Sequence, residues 1–287
     1  MKTLTLATRT LVGFVAASLV VGSALSATYP LEPKTVKPVL VGLQLYTVRS
    51  DCAKDFPGTL KAVSKMGFSG VEFAGYYGYT AERLKKLLDE DHLACYGSHV
   101  PWGDLQGDNY AKTVAFNKAI GNPLIVVPWI PSEMRNTKAA LIETAHKFGE
   151  LAKRLKRDGI TLGYHNHMDE FKEVEGEMPW YTFFGNTGND VAVQFDTGNA
   201  LSAGAQAAPF LLKYPKRVIS VHVKDFSSTN PNALLGEGDE NWAETFKILK
   251  TKAHPRFFII EQETYPTTPL DSAEKCLRNF ERMWAAN

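Results

Sequence analysis

The chain has 287 residues, with 32 Lys and Arg against 31 Asp and Glu and a formal net charge of +1. A near-neutral chain without a Lys/Arg run lacks the electrostatic footprint of a nucleic-acid binder, so no nucleic-acid partner is expected. Its three cysteines, Cys52, Cys95 and Cys276, close at most one bridge. A disulfide framework is thereby excluded, and buried or free thiols are expected.

Lys2 and Arg9 flank the start of the apolar stretch LVGFVAASLVVGSAL, and the small residues Ala24, Ser26 and Ala27 follow before Pro30. This is the pattern of a secretory signal peptide over residues 1–27, cleaved near 24–27. The apolar run is shorter than the roughly 20 residues needed to span a bilayer. A periplasmic or secreted protein with no stable membrane anchor after processing is therefore expected, with a lead-in over 28–38 and a catalytic domain over 39–287. Cleavage removes two basic residues and no acid, which takes the net charge to −1.

Eight short apolar runs follow in order: VLVGLQLY, GVEF, LACYGSH, PLIVVPW, ITLGYHNH, VAVQFD, RVISVHVKD and FFIIEQE. Each is followed by a segment able to carry a helix, including TLKAVSKM, TAERLKKLLDE, KAALIETAHKFGELAKRLKR, NWAETFKILK and DSAEKCLRNFERMW. The segment after ITLGYHNH, PWYTFFGN, is short. Thr80 and Asp271 are predicted N-caps. Eight βα units, no linker-like stretch between halves and a mature length near the ~250 residues of a (β/α)₈ barrel predict a single TIM barrel. An open doubly wound sheet is the alternative.

Side chains alternate across a strand, so one parity of each run faces the helices and the other faces the barrel interior. Val191, Val193 and Phe195 oppose Ala192, Gln194 and Asp196; Ile219, Val221 and Val223 oppose Ser220, His222 and Lys224. Leu162 and Tyr164 oppose Gly163, His165 and His167; Phe258 and Ile260 oppose Ile259, Glu261 and Glu263. Gln44 and Tyr46 on the first run and Glu72 on the second continue the polar parity. The polar set falls at the carboxyl ends of the strands, where barrel enzymes build their sites, and His99 joins it from the third.

Burying these carboxylates and imidazoles without partners would cost several kcal/mol per ion. One divalent cation resolves the problem, since it accepts imidazole nitrogen and carboxylate oxygen alike. The expected ligands are His165, Asp196, His222 and Glu261, although the pair in YHNH leaves His165 and His167 as rivals for the fifth-strand position.

Taken together, VGLQLYTVR, GFSGVEFAGYYG, GYHNHMDEF, QFDTGN, VHVKD, LGEGDENW and IIEQE resemble the xylose isomerase-like TIM barrels of the sugar phosphate isomerase/epimerase superfamily, over nearly all of residues 39–285. The resemblance implies one metal ion, commonly Mn, Co, Mg, Fe or Zn, held from strands five to eight at those same four positions. It also carries a departure. Epimerases of the tagatose and psicose type have glutamate where His165 stands, and their paired-glutamate mechanism does not transfer. The Tyr-His-x-His pattern is closer to inosose dehydratase relatives and to secreted members associated with keto-sugars.

The implied chemistry is proton abstraction next to a carbonyl through a metal-stabilised enediolate, on a small sugar or keto-sugar substrate. Glu261 is the expected base, His167 the second acid/base or substrate contact, and Lys224 an aid to the developing oxyanion. Gln44, Glu72 and His99 are expected to read substrate hydroxyls, and Trp102 and Trp129 to wall a sugar ring. An isomerase or epimerase is the first expectation. A keto-sugar dehydratase, hydratase or 3-keto-glycoside lyase on the same metal site is the alternative. A non-catalytic sugar-binding protein and an endonuclease IV-like nuclease stand further off; the latter needs a multi-zinc cluster and a basic face. No Gly-rich phosphate cradle is evident, and the acids inside LGEGDENW would repel an anion. A homo-oligomer is compatible with the sequence.

Overall fold

A computed structural model describes residues 39–287, and the expected signal segment and lead-in lie outside them. Eight parallel strands close into one barrel in sequence order: β1 (Val41–Gln44), β2 (Gly70–Phe73), β3 (Ala94–His99), β4 (Leu124–Val127), β5 (Thr161–His165), β6 (Val191–Asp196), β7 (Val218–Val223) and β8 (Phe257–Ile260). Pairing of β1 with β8, Gly42 opposite Ile259, completes the closure and removes the open-sheet alternative. Each predicted run contains its strand; GVEF and VAVQFD coincide with theirs, and the other six are trimmed at one or both ends. Tyr46 leaves the strand for a 3₁₀ turn, Leu45–Val48.

The helices are α1 (Arg49–Lys54), α2 (Phe56–Met66), α3 (Ala81–Glu90), α4 (Asn109–Ala119), α5 (Lys138–Arg157), α6 (Pro179–Asn186), α7 (Thr197–Ser202), α8 (Ala207–Lys213), α9 (Trp242–Ile248) and α10 (Pro269–Ala286). In α5 the residues Leu141, Ala145, Phe148, Ala152 and Leu155 recur at helical spacing and are buried. That stripe packs on the sheet, and Thr137 caps the helix by accepting from the Ala140 amide at 3.1 Å. Thr80 caps α3 as expected. Asp271 does not cap α10. Thr268 Oγ1 accepts from the Asp271 amide at 3.2 Å, and Pro269 occupies the first helical position, where its missing N–H costs nothing. Among the described residues no helix is long and apolar enough to cross a membrane.

Two bulges break the strict alternation. Val71 pairs with Cys95 and Glu72 with Gly97, so Tyr96 is the extra residue on β3. Val193 pairs with Val218 and Gln194 with Ser220, so Ile219 is the extra residue on β7. Tyr96 therefore turns inward, and Ile219 packs on the inner cluster rather than under the helices. The inward Tyr96 ring stacks on Phe257 at 4.6 Å and lies where Gly42 and Gly70 leave room. A Cβ at Gly70 would meet that ring at 2.6 Å. All three cysteines are buried and free. Burial pushes the thiols of Cys52 and Cys95 up to about 12 and that of Cys276 to about 11, so none is a reactive thiolate.

Candidate metal centre and substrate cavity

The interior of the barrel is layered. Tyr96, Leu124, Val126, Phe257 and Ile259 form an apolar floor. Above it lies a buried hydrogen-bonded layer centred on Glu72 and Gln194. Glu72 accepts from Gln44 Nε2 at 2.8 Å and from Gln194 Nε2 at 2.6 Å. Gln194 also donates to Ser220 Oγ at 3.2 Å. Its other end, Oε1, meets His99 Nε2 at 2.7 Å and His165 Nδ1 at 3.1 Å.

This layer sets the two imidazoles that matter. Gln194 Oε1 can only accept, which fixes the proton of His165 on Nδ1 and leaves Nε2 facing upward with its lone pair. Glu72 Oε2 lies 2.6 Å from His222 Nε2 and so presents Nδ1 of His222 to the same space. A carboxylate behind a ligating histidine is the usual device for orienting it and raising its basicity. Gly97 makes the arrangement possible, because a Cβ there would lie 2.6 Å from Glu72 Oε1.

The uppermost layer joins His165, Asp196, His222 and Glu261, each offering one donor atom with all four atoms within 4.8 Å of one another. Asp196 Oδ2 lies 3.8 Å from His165 Nε2 and 3.7 Å from His222 Nδ1, while Glu261 Oε2 is 3.0 Å from His222 Nδ1. The other Asp196 oxygen accepts from the Asn199 amide at 2.6 Å and caps α7. Oδ2 itself is buried without a hydrogen-bond partner. An orphaned carboxylate oxygen between two imidazole nitrogens and a second carboxylate is a donor set that fits a divalent cation. His99, His165 and His222 form a second, overlapping group of this kind.

The electrostatics follow from the same geometry. Burial alone would lower His222, but the facing Glu72 and Glu261 carboxylates win and hold it well above the usual imidazole range. Burial, reinforced by His222 and His99, holds His165 well below it. Burial would raise Glu261, but Lys224 and His222 override it and keep the carboxyl far below the usual range. Lys224 Nζ lies 3.7 Å from Glu261 Oε2 and 3.9 Å from Asp196 Oδ2, donates to Asn199 Oδ1 at 3.0 Å, and is paired with Glu263.

A cavity of about 1000 Å³ opens over this layer. Of the four clustered side chains only His165 and Glu261 line it, together with His99, His167, Trp129 and Asn199. Several sequence expectations are redirected. Gln44 and Glu72 are wholly buried and engaged below the cluster, so they position His222 rather than read hydroxyls. Trp102 stacks on Phe148 of α5 at 4.6 Å and does not border this cavity. Lys224 sits behind Glu261 among carboxylates instead of facing the opening. His167 is exposed at the mouth, and it is His165 whose Nε2 faces Asp196 and joins the cluster.

Residues that the sequence reading passed over complete the picture. Gln194 was legible only as an interior-parity side chain. Asn199, inside QFDTGN, accepts from Lys224 Nζ through its Oδ1 at 3.0 Å and donates to the Asn166 carbonyl at 3.1 Å. Glu170 is buried, accepting from Tyr164 OH at 2.6 Å and from the His167 amide at 2.7 Å, so it anchors the loop that carries His167. Asp225 of VHVKD accepts from the amides of Gly236 and Gly238 and from Trp242 Nε1, and thereby folds the LGEGDENW loop onto β7.

The family described as xylose isomerase-like TIM barrel matches residues 60–283, and the chain belongs to it. Among curated proteins, the inosose dehydratase of Clostridium perfringens is 28% identical over 263 residues, covering 77% of this chain and 87% of that protein. A sugar phosphate isomerase/epimerase from Parabacteroides distasonis superposes with a TM-score of 0.75 at 22% identity, over 84% of this chain and 97% of that one. The IOLI protein, whose crystal structure holds a zinc atom, superposes with a TM-score of 0.69 at 12% identity, over 86% and 99% of the two chains. The chain is an enzyme of the sugar isomerase, epimerase and lyase type, with candidate residues for a divalent-metal site.

Proposed function

We propose that the chain removes the proton next to the carbonyl of a keto-sugar and then expels an oxygen substituent from the β-carbon, as a dehydratase or lyase. The observation that carries the metal requirement is the orphaned Asp196 Oδ2 between His165 and His222. When bound by His165, Asp196, His222 and Glu261, a divalent cation supplies Lewis-acid polarisation of the carbonyl. The zinc reported for the IOLI protein supports a cation of that class.

The remaining steps belong to side chains. Glu261 is the base, because it is ionised and is the one carboxylate of the cluster that lines the cavity. Lys224 keeps it ionised and holds its position. Electron density moves from the broken C–H bond toward the carbonyl oxygen, then returns to form the C=C bond as the β-oxygen leaves. His167, exposed at the mouth, gives the departing oxygen its proton. His99 and Asn199 contact the sugar hydroxyls from the cavity wall.

The second reading is the isomerase or epimerase, which uses the same base and returns the proton to carbon. Elimination is favoured by His165 standing at the position where paired-glutamate epimerases carry their second carboxylate, and by the dehydratase name of the curated relative. The export expected from residues 1–27 belongs to this reading and is checked by amino-terminal sequencing of the mature protein. Metal-loaded enzyme given keto-sugars deuterated beside the carbonyl is the decisive test, followed by NMR. An unsaturated product with loss of label supports elimination; an epimer carrying solvent hydrogen replaces it with the second reading; retained label throughout sinks both.

A further inference from the structure

The cavity over the cluster is asymmetric around the barrel. On the side of β5 to β8 it is bounded by His165, His167, Asn199 and Glu261. On the opposite side, after β2 and β3 and along α4, it runs on past Tyr76 and Pro101 to Phe116, with Asp104 and Lys112 at its rim. Clefts holding drug-sized ligands run from roughly 300 to 1,000 Å³, so about 1000 Å³ is more room than one sugar ring fills.

Much of the wall of the surplus space is apolar. Among the described residues, five large hydrophobic side chains stay exposed, and three of them, Trp129 at 54%, Tyr46 at 43% and Met168 at 41%, line this one cavity. Tyr76 and Phe116, which also line it, pack with ring centroids 4.2 Å apart, and Tyr76 OH is tied to Asn117 at 3.0 Å. An aromatic pair and an exposed indole lining one cavity are suited to a flat ring with an apolar face. Asp104 and Lys112 at the rim add groups that hydrogen-bond hydroxyls.

We infer that the substrate is a two-ring glycoside: the reacting keto-sugar lies over Glu261 and His165, and a second ring joined through the glycosidic oxygen lies in the part of the cavity lined by Trp129, Tyr76 and Phe116. The inference rests on the proposed keto-sugar chemistry and names its leaving group. In that reaction the bond that breaks joins the β-carbon to the glycosidic oxygen. The oxygen departs with its electron pair and takes a proton to become the hydroxyl of the second ring, while the sugar keeps the new C=C bond.

The test compares methyl 3-keto-β-glucoside with 3-keto-cellobiose and phenyl 3-keto-β-glucoside, binding each to metal-loaded enzyme by calorimetry. At least one two-ring ligand is expected to bind about tenfold more tightly than the methyl compound. Trp129→Ala, at an exposed position where folding is not at stake, is expected to bring that ratio close to one, and Phe116→Ala to narrow it. An advantage for the cellobiose derivative alone assigns the second ring to a sugar, and for the phenyl derivative alone to an aryl group. Equal binding of all three, or an advantage untouched in both variants, overturns the inference. Solvent deuterium exchange into the methyl compound reads the chemistry separately. Exchange without a two-ring advantage removes only the second-ring site, and the advantage without exchange removes only the proposed reaction.

Discussion

In the floor of the barrel, Tyr96, Leu124, Val126, Phe257 and Ile259 from β3, β4 and β8 fill the interior with apolar contacts; above it, β1, β2, β6 and β7 present Gln44, Glu72, Gln194, Ser220 and His222, every one of them buried. The floor gains from removing hydrocarbon from water. The layer above it is tolerated because its polar atoms find partners in one network, except where Asp196 Oδ2 is left open toward the cluster. One stabilises the barrel and the other aims ligands, so substitutions in the two regions should separate stability from metal binding.

The largest expected effect is at the cluster. Asp196→Ala or His222→Ala should lose the metal and the activity together while circular dichroism reports a folded barrel. Full metal content by elemental analysis in either variant would remove the ligand assignment. In the floor, Tyr96→Ala should cost about 3 to 5 kcal/mol in denaturant unfolding, as for a buried aromatic ring. Its metal affinity, measured on the folded fraction, should change little; a large fall in affinity would show that the two layers are not separable.

A third expectation concerns the loop that Asp225 folds over β7. Glu240 in that loop is buried, and burial first, with Asp225 next in raising it, takes its carboxyl from 4.5 to about 7. A raised carboxyl binds more protons in the folded state, so its contribution is fully present below pH 4.5 and is lost as pH rises through about 7. The loss amounts to at most about 3 kcal/mol by linkage. Glu240→Gln keeps an acceptor for Thr245 Oγ1 and should flatten the stability profile between those pH values; an unchanged slope in the variant rules the assignment out.

The smallest expected effect sharpens the comparison most. Glu72→Gln retains the shape of the polar layer but weakens the hold on His222 Nε2, so metal affinity should fall about 10- to 100-fold, as for other groups behind a ligating histidine. Competition titration with a chelator measures it. An affinity equal to the parent would return Glu72 to the list of residues acting on substrate.

Much of this was legible in the chain itself. Alternation with period two separated Gln194 and Asp196 from Val193 and Phe195, and it placed His165, His222 and Glu261 on one interior face at the strand ends. The pattern works because a parallel barrel buries both faces of each strand, so polar residues on a buried face stand out. Where it failed, at Ile219, a bulge had intervened: one extra residue shifts the count, and a bulge of that kind leaves no periodic mark. Trp102 and Trp129 look alike in sequence, each just past a strand. Only the path of the following turn sends one onto Phe148 and leaves the other 54% exposed over the cavity.

The sequence by itself determined the barrel, its eight units and the identity of the clustered donors, since these depend on local periodicity and on which residue types can ligate a cation. Tertiary structure alone decided the layering: that Glu72 and Gln44 stand behind His222, that Lys224 stands behind Glu261, and that Gln194 turns His165 so that Nε2 faces Asp196. Each of those contacts crosses from one βα unit to another, and its direction is set by which side chain reaches which hydrogen-bond partner once the barrel has closed.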